Sequence, residues 1–380
     1  MKLALVRQKY NPYGGAERFV ERALAALATQ GVATTLITRS WRGPAEQPVL
    51  ICNPAYVGRL WRDCSFARAV QDIIADRRFD LLQSHERIPG CDIYRAGDGV
   101  HATWLEFRAQ SRGPLARLAE RLNFWHRYVL RTEAAMFRDV RLKAVICNSQ
   151  MVRDDIARRF GVAEAKLHVI YNGVDLATFH PRSRDEHRSS MRAELGIADA
   201  TPLFLFVGSG FERKGVPQLL RAFALMRARD AQLLIVGHDK QRKRMERDAA
   251  ALGLEHRVRF LGGQQDVQPF YGAADVFVLP TLYDPFPNAA LEALACGLPV
   301  ITSTACGAAE LIRAGENGYV CEARDNAQLA DRLDALAVPG VARAMRDASR
   351  ASVAHLGVDA MAARLIALYQ SLMPSTTRPL

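Results

Sequence analysis

The chain has 380 residues, more than one hydrophobic core usually supports, which predicts two domains. Apolar residues make up 49% and charged residues 24%, the balance of a globular protein, and no segment offers the roughly 18–20 uninterrupted apolar residues of a membrane-spanning helix. The formal net charge of +11 leaves nucleic acid, an anionic membrane surface and a phosphorylated substrate as partner classes.

The first half of the chain alternates short apolar runs with helical patterns. A turn at Asn11–Gly15 opens a predicted helix from Ala16 to Thr29, in which Val20, Ala23, Leu24 and Leu27 share one face. The predicted strands of this half are LALVR (3–7), TTLITR (34–39), DLLQSH (80–85) and AVICNS (144–149). Strands that alternate with helices indicate a parallel sheet with right-handed crossovers.

The same pattern restarts near residue 167 and predicts a second doubly wound unit. Its predicted strands are 203–208, 233–237, 258–262, 276–280 and 299–303, and its predicted helices are 217–228, 242–252 and 289–296. We therefore expect an α/β protein of two Rossmann-like domains that share a central cleft, with domains at 1–168 and 169–358. A final helix and tail, 359–380, could belong to either half, and the helix could cross back to the N-terminal domain.

The cysteines and the N-terminus bear on location. MKLALVRQKY (1–10) is too short in apolar residues for a signal-peptide core. The seven cysteines are scattered and form no Cys-x-x-Cys pair, which is typical of reduced thiols rather than disulfides or zinc ligands. These features predict a cytoplasmic protein.

Gly14 and Gly15 stand between a predicted strand and a predicted helix. Glycine lets backbone amides approach a phosphate, and the helix N-terminus adds a partial positive charge. A simple tight turn is an equally good interpretation of two glycines taken alone.

Arg213 and Lys214 follow the predicted strand 203–208, and Pro217 then begins a helix. Two cations at the carboxyl end of a strand lie where open α/β sheets bind ligands. They could neutralise the charge that grows on a departing diphosphate. Adjacent Arg and Lys residues are usually solvated surface, but this position at a strand end favours the functional interpretation.

Asp284 and Glu292 follow the predicted strand 276–280, one in a loop and one about a turn into a helix that begins near Asn288. Carboxylates there can accept hydrogen bonds from sugar and ribose hydroxyls. The backbone amides of Asn288, Ala289, Ala290 and Leu291 could face a phosphate. The alternative is a surface acid and a helix acid that suits the dipole.

Several familiar motifs are missing from the sequence. It contains no Walker A motif and no Gly-x-Gly-x-x-Gly, which argues against a P-loop ATPase or a standard NAD enzyme. It also contains no Asp-x-Asp and no His-x3-His. We therefore predict no metal and no cofactor other than a nucleotide co-substrate.

These pieces, in this order, resemble glycosyltransferase family 4, whose members are retaining enzymes of the twin-Rossmann GT-B fold. The segments that carry the resemblance are 14–18, 146–156, 169–181, 206–215 and 271–302. The spacing from Asp284 to Glu292 is similar to the acid-x7-acid pattern of that family. Within the family, further segments resemble bacterial glucosyltransferases that act on a heptose of the lipopolysaccharide core; these are 8–19, 35–41, 90–101, 211–216 and 235–243.

The resemblance implies a role for each matching residue. Asp98 would lie near the reacting sugar, and Arg213 and Lys214 would hold the diphosphate. Glu292 would bind the donor ribose, and Asp284 the sugar hydroxyls. The family usually has Glu where this chain has Asp284, which is one methylene shorter. A heptose or hexosamine donor is therefore an alternative to glucose.

Three further residues have open alternatives. Asp98 stands between glycines, where Asp is most often a turn residue, yet it could polarise an acceptor hydroxyl or stabilise positive charge at the anomeric carbon. His101 contacts the acceptor or is a structural histidine. Glu17 contacts the acceptor or simply favours the dipole of the predicted first helix.

Residues 103–132 combine aromatic side chains with arginines, which suits the headgroup region of an anionic bilayer. The alternative is an amphipathic helix that packs its aromatic residues inward. No recognition module surrounds this segment, so we expect no nucleic acid partner. The acceptor implied by the resemblance is a lipid-linked oligosaccharide. We therefore predict that the protein is peripheral on the inner face of the plasma membrane.

The function predicted from the sequence is metal-independent transfer of a hexose, from UDP-glucose by preference, to a heptose of the lipopolysaccharide core. Domain closure would bring Gly14 and Gly15 over the diphosphate and exclude water. The alternatives are a sugar-nucleotide epimerase of similar fold, a transferase acting on another glycan, and a non-catalytic protein that binds sugar nucleotides. Epimerised donor formed without acceptor would indicate the epimerase, and donor binding without reaction would indicate the binding protein.

Overall fold

The computed structural model describes residues 1–8, 27–28, 31–41, 48–76, 78–110 and 113–373. The chain forms two compact units: Met1–Gly173 with Val358–Leu380, and Val174–Gly357. The predicted turn at Asn11–Gly15 and most of the predicted helix that follows it lie outside the described residues.

The first unit contains a seven-stranded parallel sheet in the order β3-β2-β1-β4-β5-β6-β7. Its strands are β1 (Lys2–Val6), β2 (Ala33–Thr38), β3 (Val49–Ile51), β4 (Leu81–Ser84), β5 (Ile93–Arg95), β6 (Ala144–Cys147) and β7 (Leu167–Val169). In β1, β4, β5 and β6 nearly every residue is buried. A parallel strand covered by helices on both faces has this pattern, because neither face meets water.

The helices of the first unit cover this sheet. They are α1 (Gly58–Ala75), α2 (His101–Gln110), α3 (Pro114–Leu122), α4 (Phe124–Arg138) and α5 (Gln150–Phe160). Asn123 caps α4 by accepting hydrogen bonds from the amides of Trp125 and His126, and Ser149 caps α5 in the same way through Val152. Phe66, Val70, Met136, Val152 and Ile156 join one core cluster with residues of β1, β2 and β6.

The second unit contains a six-stranded parallel sheet in the order β10-β9-β8-β11-β12-β13. Its strands are β8 (Leu203–Val207), β9 (Gln232–Val236), β10 (Val258–Gly262), β11 (Val276–Leu279), β12 (Val300–Ser303) and β13 (Gly318–Cys321). The strand order reverses between β8 and β11, both of which are fully buried. Open α/β sheets bind ligands outside the carboxyl ends of strands at such a reversal.

The helices of the second unit are α6 (Ser183–Glu194), α7 (Val216–Leu225), α8 (Arg242–Ala251), α9 (Gln268–Ala273), α10 (Asn288–Ala295), α11 (Asn326–Ala337), α12 (Val341–Ala344) and α13 (Arg346–Val353). Two short 3-10 turns lie at Glu164–Lys166 in the first unit and Gly307–Leu311 in the second. A buried Arg192 on α6 donates to the Ala273 carbonyl at the end of α9 and to Asp275, which ties these two helices to the start of β11.

The last helix, α14 (Val358–Leu372), belongs to the first unit. Its buried residues Met361, Leu365, Leu368 and Tyr369 lie in one cluster with side chains of β1, β2, β4, β5 and β6. The Tyr369 hydroxyl also donates to Gln83 Oε1 at 2.8 Å. Of the two predicted placements of this helix, the structure shows the one that returns to the N-terminal half.

All nine predicted strands are present, each within two residues of its predicted bounds. Four strands were not predicted: β3, β5, β7 and β13, which span only three or four residues. So short a run has too little periodicity to stand out from a loop. The start of the second pattern near 167 also differs, since β7 pairs with β6 and remains part of the first unit.

Candidate functional site

The predicted donor residues of the second unit converge at the carboxyl ends of β8 and β11. Lys214 Nζ lies 2.9 Å from Asp284 Oδ2, and Arg213 Nη1 lies 3.5 Å from the same oxygen. Arg213 also donates to the carbonyl of Tyr283 at 3.0 Å. Two cations and one carboxylate that are far apart in sequence therefore form a single cluster.

The backbone fixes this cluster. Gly215 has φ +80°, and a Cβ there would stand 1.9 Å from the Pro280 carbonyl oxygen, so only glycine fits. The Arg213 carbonyl accepts hydrogen bonds from the Leu282 amide at 2.8 Å and the Thr281 hydroxyl at 2.9 Å. The loop after β8 is thus held directly against the loop after β11.

The electrostatics of the cluster depend on burial. Asp284 is only 5% exposed. Burial, the largest single influence, raises the pKa of Asp284, but the nearby charges of Lys214 and Arg213 together with hydrogen bonds outweigh it and lower the pKa overall. Asp284 is therefore ionised at neutral pH and offsets one of the two positive charges of Arg213 and Lys214.

Glu292 lies within α10 and is 1% exposed. The Tyr271 hydroxyl is 3.1 Å from Glu292 Oε2 and 3.2 Å from the Ala289 carbonyl oxygen, so it can donate its proton to either acceptor. No sequence motif marks Tyr271, because nothing in its local sequence shows that it contacts a residue one helix later. This contact fixes the Glu292 carboxylate.

The first turn of α10 begins immediately after the Asp284 loop. Pro287 precedes it and provides no side-chain cap. The predicted phosphate-facing residues Asn288, Ala289, Ala290 and Leu291 make up this turn. The amides that begin a helix carry partial positive charge, so the turn suits an anion, although the Ala290 amide already donates to the Pro287 carbonyl at 3.1 Å.

In the first unit, Asp98 lies in the loop after β5, with a side chain 56% exposed. Arg7 Nη1, just beyond the end of β1, is 3.8 Å from Asp98 Oδ2 and 3.5 Å from Glu86 Oε1. Asp98 is thus an accessible carboxylate at the carboxyl edge of the first sheet, beside Arg7, a cation that no sequence motif marks.

His101 occupies a different environment from Asp98. It is 8% exposed, and its Nε2 lies 3.0 Å from Nδ1 of His126, with the two rings stacked. Burial and nearby cations, Arg87 first among them, lower the pKa of His101 to about 3. This position favours the structural alternative for His101 over contact with an acceptor.

Three predicted residues, Gly14, Gly15 and Glu17, lie outside the described residues and stay predictions. Among the residues that the structure describes, no group of three His, Cys, Asp or Glu side chains could hold a metal ion. In the same part of the chain, no helix is long and apolar enough to cross a membrane.

The segment 103–132 forms most of α2, all of α3 and the first part of α4. Four of its five aromatic residues, Trp104, Phe107, Trp125 and Tyr128, are half-buried, as the inward-packing alternative expects, whereas the fifth, Phe124, is exposed. The exposed apolar side chains are instead Leu115 (85%), Leu118 (55%), Leu122 (60%) and Phe124 (73%). The leucines are three and four residues apart, which places them on one face of α3. We call these four residues the α3 apolar face.

Comparison with known proteins adds independent findings. The family model described as glycosyltransferase family 4 matches residues 13–178, and the model described as glycosyl transferases group 1 matches residues 187–349. Lipopolysaccharide glucosyltransferase WaaG of Escherichia coli (strain K12) is 28% identical over 325 residues, which cover 84% of this chain and 85% of the relative.

Two further matches agree with these. Lipopolysaccharide core biosynthesis glycosyltransferase LpsE of Rhizobium meliloti (strain 1021) is 27% identical over 315 residues, covering 82% of each chain. The crystal structure of WaaG, described as a glycosyltransferase involved in lipopolysaccharide biosynthesis, superposes with a TM-score of 0.82 at 26% identity, covering 96% of this chain and 99% of that one.

Proposed function

Because the chain belongs to glycosyltransferase family 4 and has the GT-B fold, we propose that it transfers a hexose from a nucleoside-diphosphate sugar to a heptose of the lipopolysaccharide core. UDP-glucose is the proposed donor, and the anomeric configuration is retained. The observation that carries the proposal is the cluster of Arg213, Lys214 and Asp284 beside the first turn of α10.

The second unit supplies the donor half of the reaction. Breaking the bond between the sugar and the diphosphate leaves negative charge on the leaving oxygen. Arg213 and Lys214 stand where two cations could stabilise that charge, together with the amides that begin α10. These groups supply positive charge of the kind that a divalent metal would provide, and this supports our proposal that transfer needs none.

The two acids have separate proposed roles. Glu292 is held by Tyr271 and is proposed to accept a hydrogen bond from the donor ribose. Asp284 is proposed to accept from sugar hydroxyls while it orients Lys214. Because Asp284 is one methylene shorter than the Glu that is usual in the family, a heptose or hexosamine donor is tested beside glucose.

The first unit is proposed to bind the acceptor. Asp98 would polarise the attacking hydroxyl or stabilise positive charge at the anomeric carbon. The unit holds 29 Lys and Arg residues against 18 Asp and Glu, so the whole net charge of +11 resides in it. A cationic surface is expected for a phosphorylated, lipid-linked acceptor.

The same unit is proposed to hold the enzyme at the inner face of the plasma membrane. The α3 apolar face has arginines beside it at positions 117, 121 and 127, all exposed. Apolar side chains enter the boundary between headgroups and acyl chains, and arginines bind anionic headgroups. This arrangement supports a peripheral interaction with an anionic bilayer.

The test is to incubate purified protein with UDP-, ADP- and GDP-sugars and lipopolysaccharide truncated at the heptose, in the presence of EDTA. Nucleotide release and acceptor mass are measured. We expect the acceptor to gain one hexose from UDP-glucose, with the α-linkage of the donor retained in the product by NMR.

The other outcomes would each change the proposal. Activity that appears only after Mg²⁺ or Mn²⁺ is added would contradict metal independence. Transfer from another sugar would replace the donor, and transfer only to another glycan would replace the acceptor. Epimerised donor without transfer would indicate an epimerase, and donor binding without reaction would indicate a non-catalytic protein.

A further inference from the structure

The loop that carries Asp98 is held from outside by a buried ion pair that no motif in the sequence marks. Glu133, in the middle of α4, is 1% exposed, and its Oε1 accepts a hydrogen bond from Arg87 Nε at 2.7 Å. Arg87 follows β4, and its Nη2 donates to the Gly99 carbonyl at 2.8 Å. The same guanidinium therefore contacts both α4 and the residue after Asp98.

Glu133 also contacts the loop directly. The His101 amide, at the start of α2, donates to both Glu133 oxygens at 2.9 and 3.2 Å. The His101 ring stacks on His126, which lies about two turns before Glu133 on α4. On the other side of Asp98, Asn148 Nδ2 donates to the Gly97 carbonyl at 3.2 Å. Both flanks of Asp98 are thus fixed by side chains while the Asp98 side chain stays exposed.

A carboxylate buried to this degree is costly unless it is paired and hydrogen-bonded. An apolar pair of similar size would fill the space between α4 and the loop without that cost. It could not, however, determine where the Gly99 carbonyl and the His101 amide lie, because only directional hydrogen bonds fix those groups. The hydrogen bonds that fix the loop therefore explain why an ion pair, rather than an apolar pair, occupies this place.

We propose that Arg87 and Glu133 are positioning residues for Asp98: they hold residues 97–101 in the geometry that sugar transfer requires. The inference rests on the proposed function for the role of Asp98. Its physical basis is that displacement of a reacting group by about 1 Å can cost on the order of 100-fold in rate.

The test variant is Arg87→Lys. Lysine keeps a positive charge opposite Glu133, so the buried carboxylate stays compensated and the fold is retained. A single ammonium cannot reproduce the two N–H directions of the guanidinium, one to Glu133 and one to Gly99. A role limited to charge compensation predicts wild-type behaviour for this variant, and a positioning role does not.

Arg159→Lys is the matched control. Like Arg87, Arg159 donates to two acceptors, here the acids Asp155 and Glu106, and its side chain is 22% exposed against 17% for Arg87. Its partners lie on α5 and on the later part of α2, and neither is within residues 97–101; the nearest link is the hydrogen bond that Asp155 accepts from Thr103. Both variants therefore keep a positive charge and lose the forked geometry of a guanidinium, and only one of them lies at the Asp98 loop.

Two readouts are measured. For Arg87→Lys we expect kcat to fall about 10- to 100-fold, with KM for the nucleotide sugar within about twofold. We also expect amide hydrogen exchange in residues 97–102 to be about tenfold faster or more, because local opening is easier. Arg159→Lys should leave both readouts unchanged.

Wild-type kcat and exchange in Arg87→Lys would overturn the proposal, as would equal losses in both variants. If the wild type transfers no sugar, the proposed function fails, and the exchange readout alone decides whether Arg87 holds the loop. If Arg87→Lys does not fold, the double variant R87Q/E133Q, which removes both buried charges, is measured in its place against the same outcomes.

Discussion

The two units have the same type of sheet but differ in how they use charge. The first unit carries a net charge of +11, whereas the second has 22 Lys and Arg against 22 Asp and Glu and is neutral. In the second unit, the cations that matter for the proposed reaction are compensated by a buried acid, Asp284. In the first unit, exposed arginines and an exposed apolar face occur in the same segment, residues 115–127.

This difference distinguishes the net positive charge of a surface from individual cations in a binding site. The net charge of the chain describes a surface property of one unit, suited to a bilayer or a phosphorylated acceptor. The predicted donor site adds nothing to that net charge, although it depends on two cations. The net charge alone would therefore not locate the donor site.

The largest effect is expected for Arg213→Ala. Turnover should fall about 100- to 1,000-fold, because the variant loses one group that stabilises the leaving diphosphate. The melting temperature should be unchanged within error, since this side chain is 36% exposed. Steady-state kinetics and thermal unfolding are measured, with the exposed Arg221→Ala on α7 as the control. Wild-type turnover in Arg213→Ala would refute the role assigned to the cluster.

Asp284→Asn should destabilise the second unit by about 3 kcal/mol at pH 7, because Lys214 loses its charged partner. The pKa of Asp284 is lowered by folding. Its stabilising contribution is therefore complete above the unfolded-state pKa of about 4 and decreases as the pH falls below that value. Urea unfolding at several pH values should show that the free energy of unfolding decreases less steeply with falling pH in the variant than in the wild type.

The control for Asp284→Asn is Asp331→Asn, whose side chain is 72% exposed and whose nearest cation is also exposed. That variant should unfold like the wild type at every pH. If the free energy of unfolding decreased equally steeply with falling pH in Asp284→Asn and in the wild type, the ionised Asp284 carboxylate would not stabilise the folded state.

The α3 apolar face gives a prediction for the first unit. Leu118→Gln combined with Leu122→Gln should weaken binding to anionic vesicles about tenfold, because less apolar area enters the interface. Leu225→Gln is the control, since Leu225 is 57% exposed but lies in the second unit. Co-sedimentation with vesicles measures binding, and equal binding by all three proteins would exclude this face as the contact.

A smaller effect is expected for Arg117→Gln combined with Arg121→Gln. Each cation near an anionic bilayer contributes about 1 kcal/mol at most, and less as salt is added. We expect roughly fivefold weaker vesicle binding at low salt, with the difference from wild type disappearing at high salt. Arg343→Gln in the second unit should have no effect at either salt concentration. A loss that persists at high salt would indicate that the arginines act through packing.

The sequence predicted the main strands of both sheets because buried parallel strands are continuous apolar runs, such as LFLFV at 203–207. It also placed Arg213 and Lys214 at a strand end, since proline and glycine mark where the strand stops and the helix begins. The approach of Lys214 to Asp284, 70 positions away, was not predictable, because the fold brings those loops together.

The sequence by itself therefore determined the class of fold, the family and the residue types at the proposed donor site, all of which follow from local periodicity and short motifs. Only the tertiary structure decided that α14 returns to the first unit, that the leucines of α3 and Phe124 are exposed while the other aromatic residues of 103–132 are half-buried, and that Glu133 reaches His101. Each of these depends on which of several chemically similar faces or partners is buried. Packing between segments that are distant in sequence determines which face or partner is buried, and the spacing of neighbouring residues does not depend on that packing.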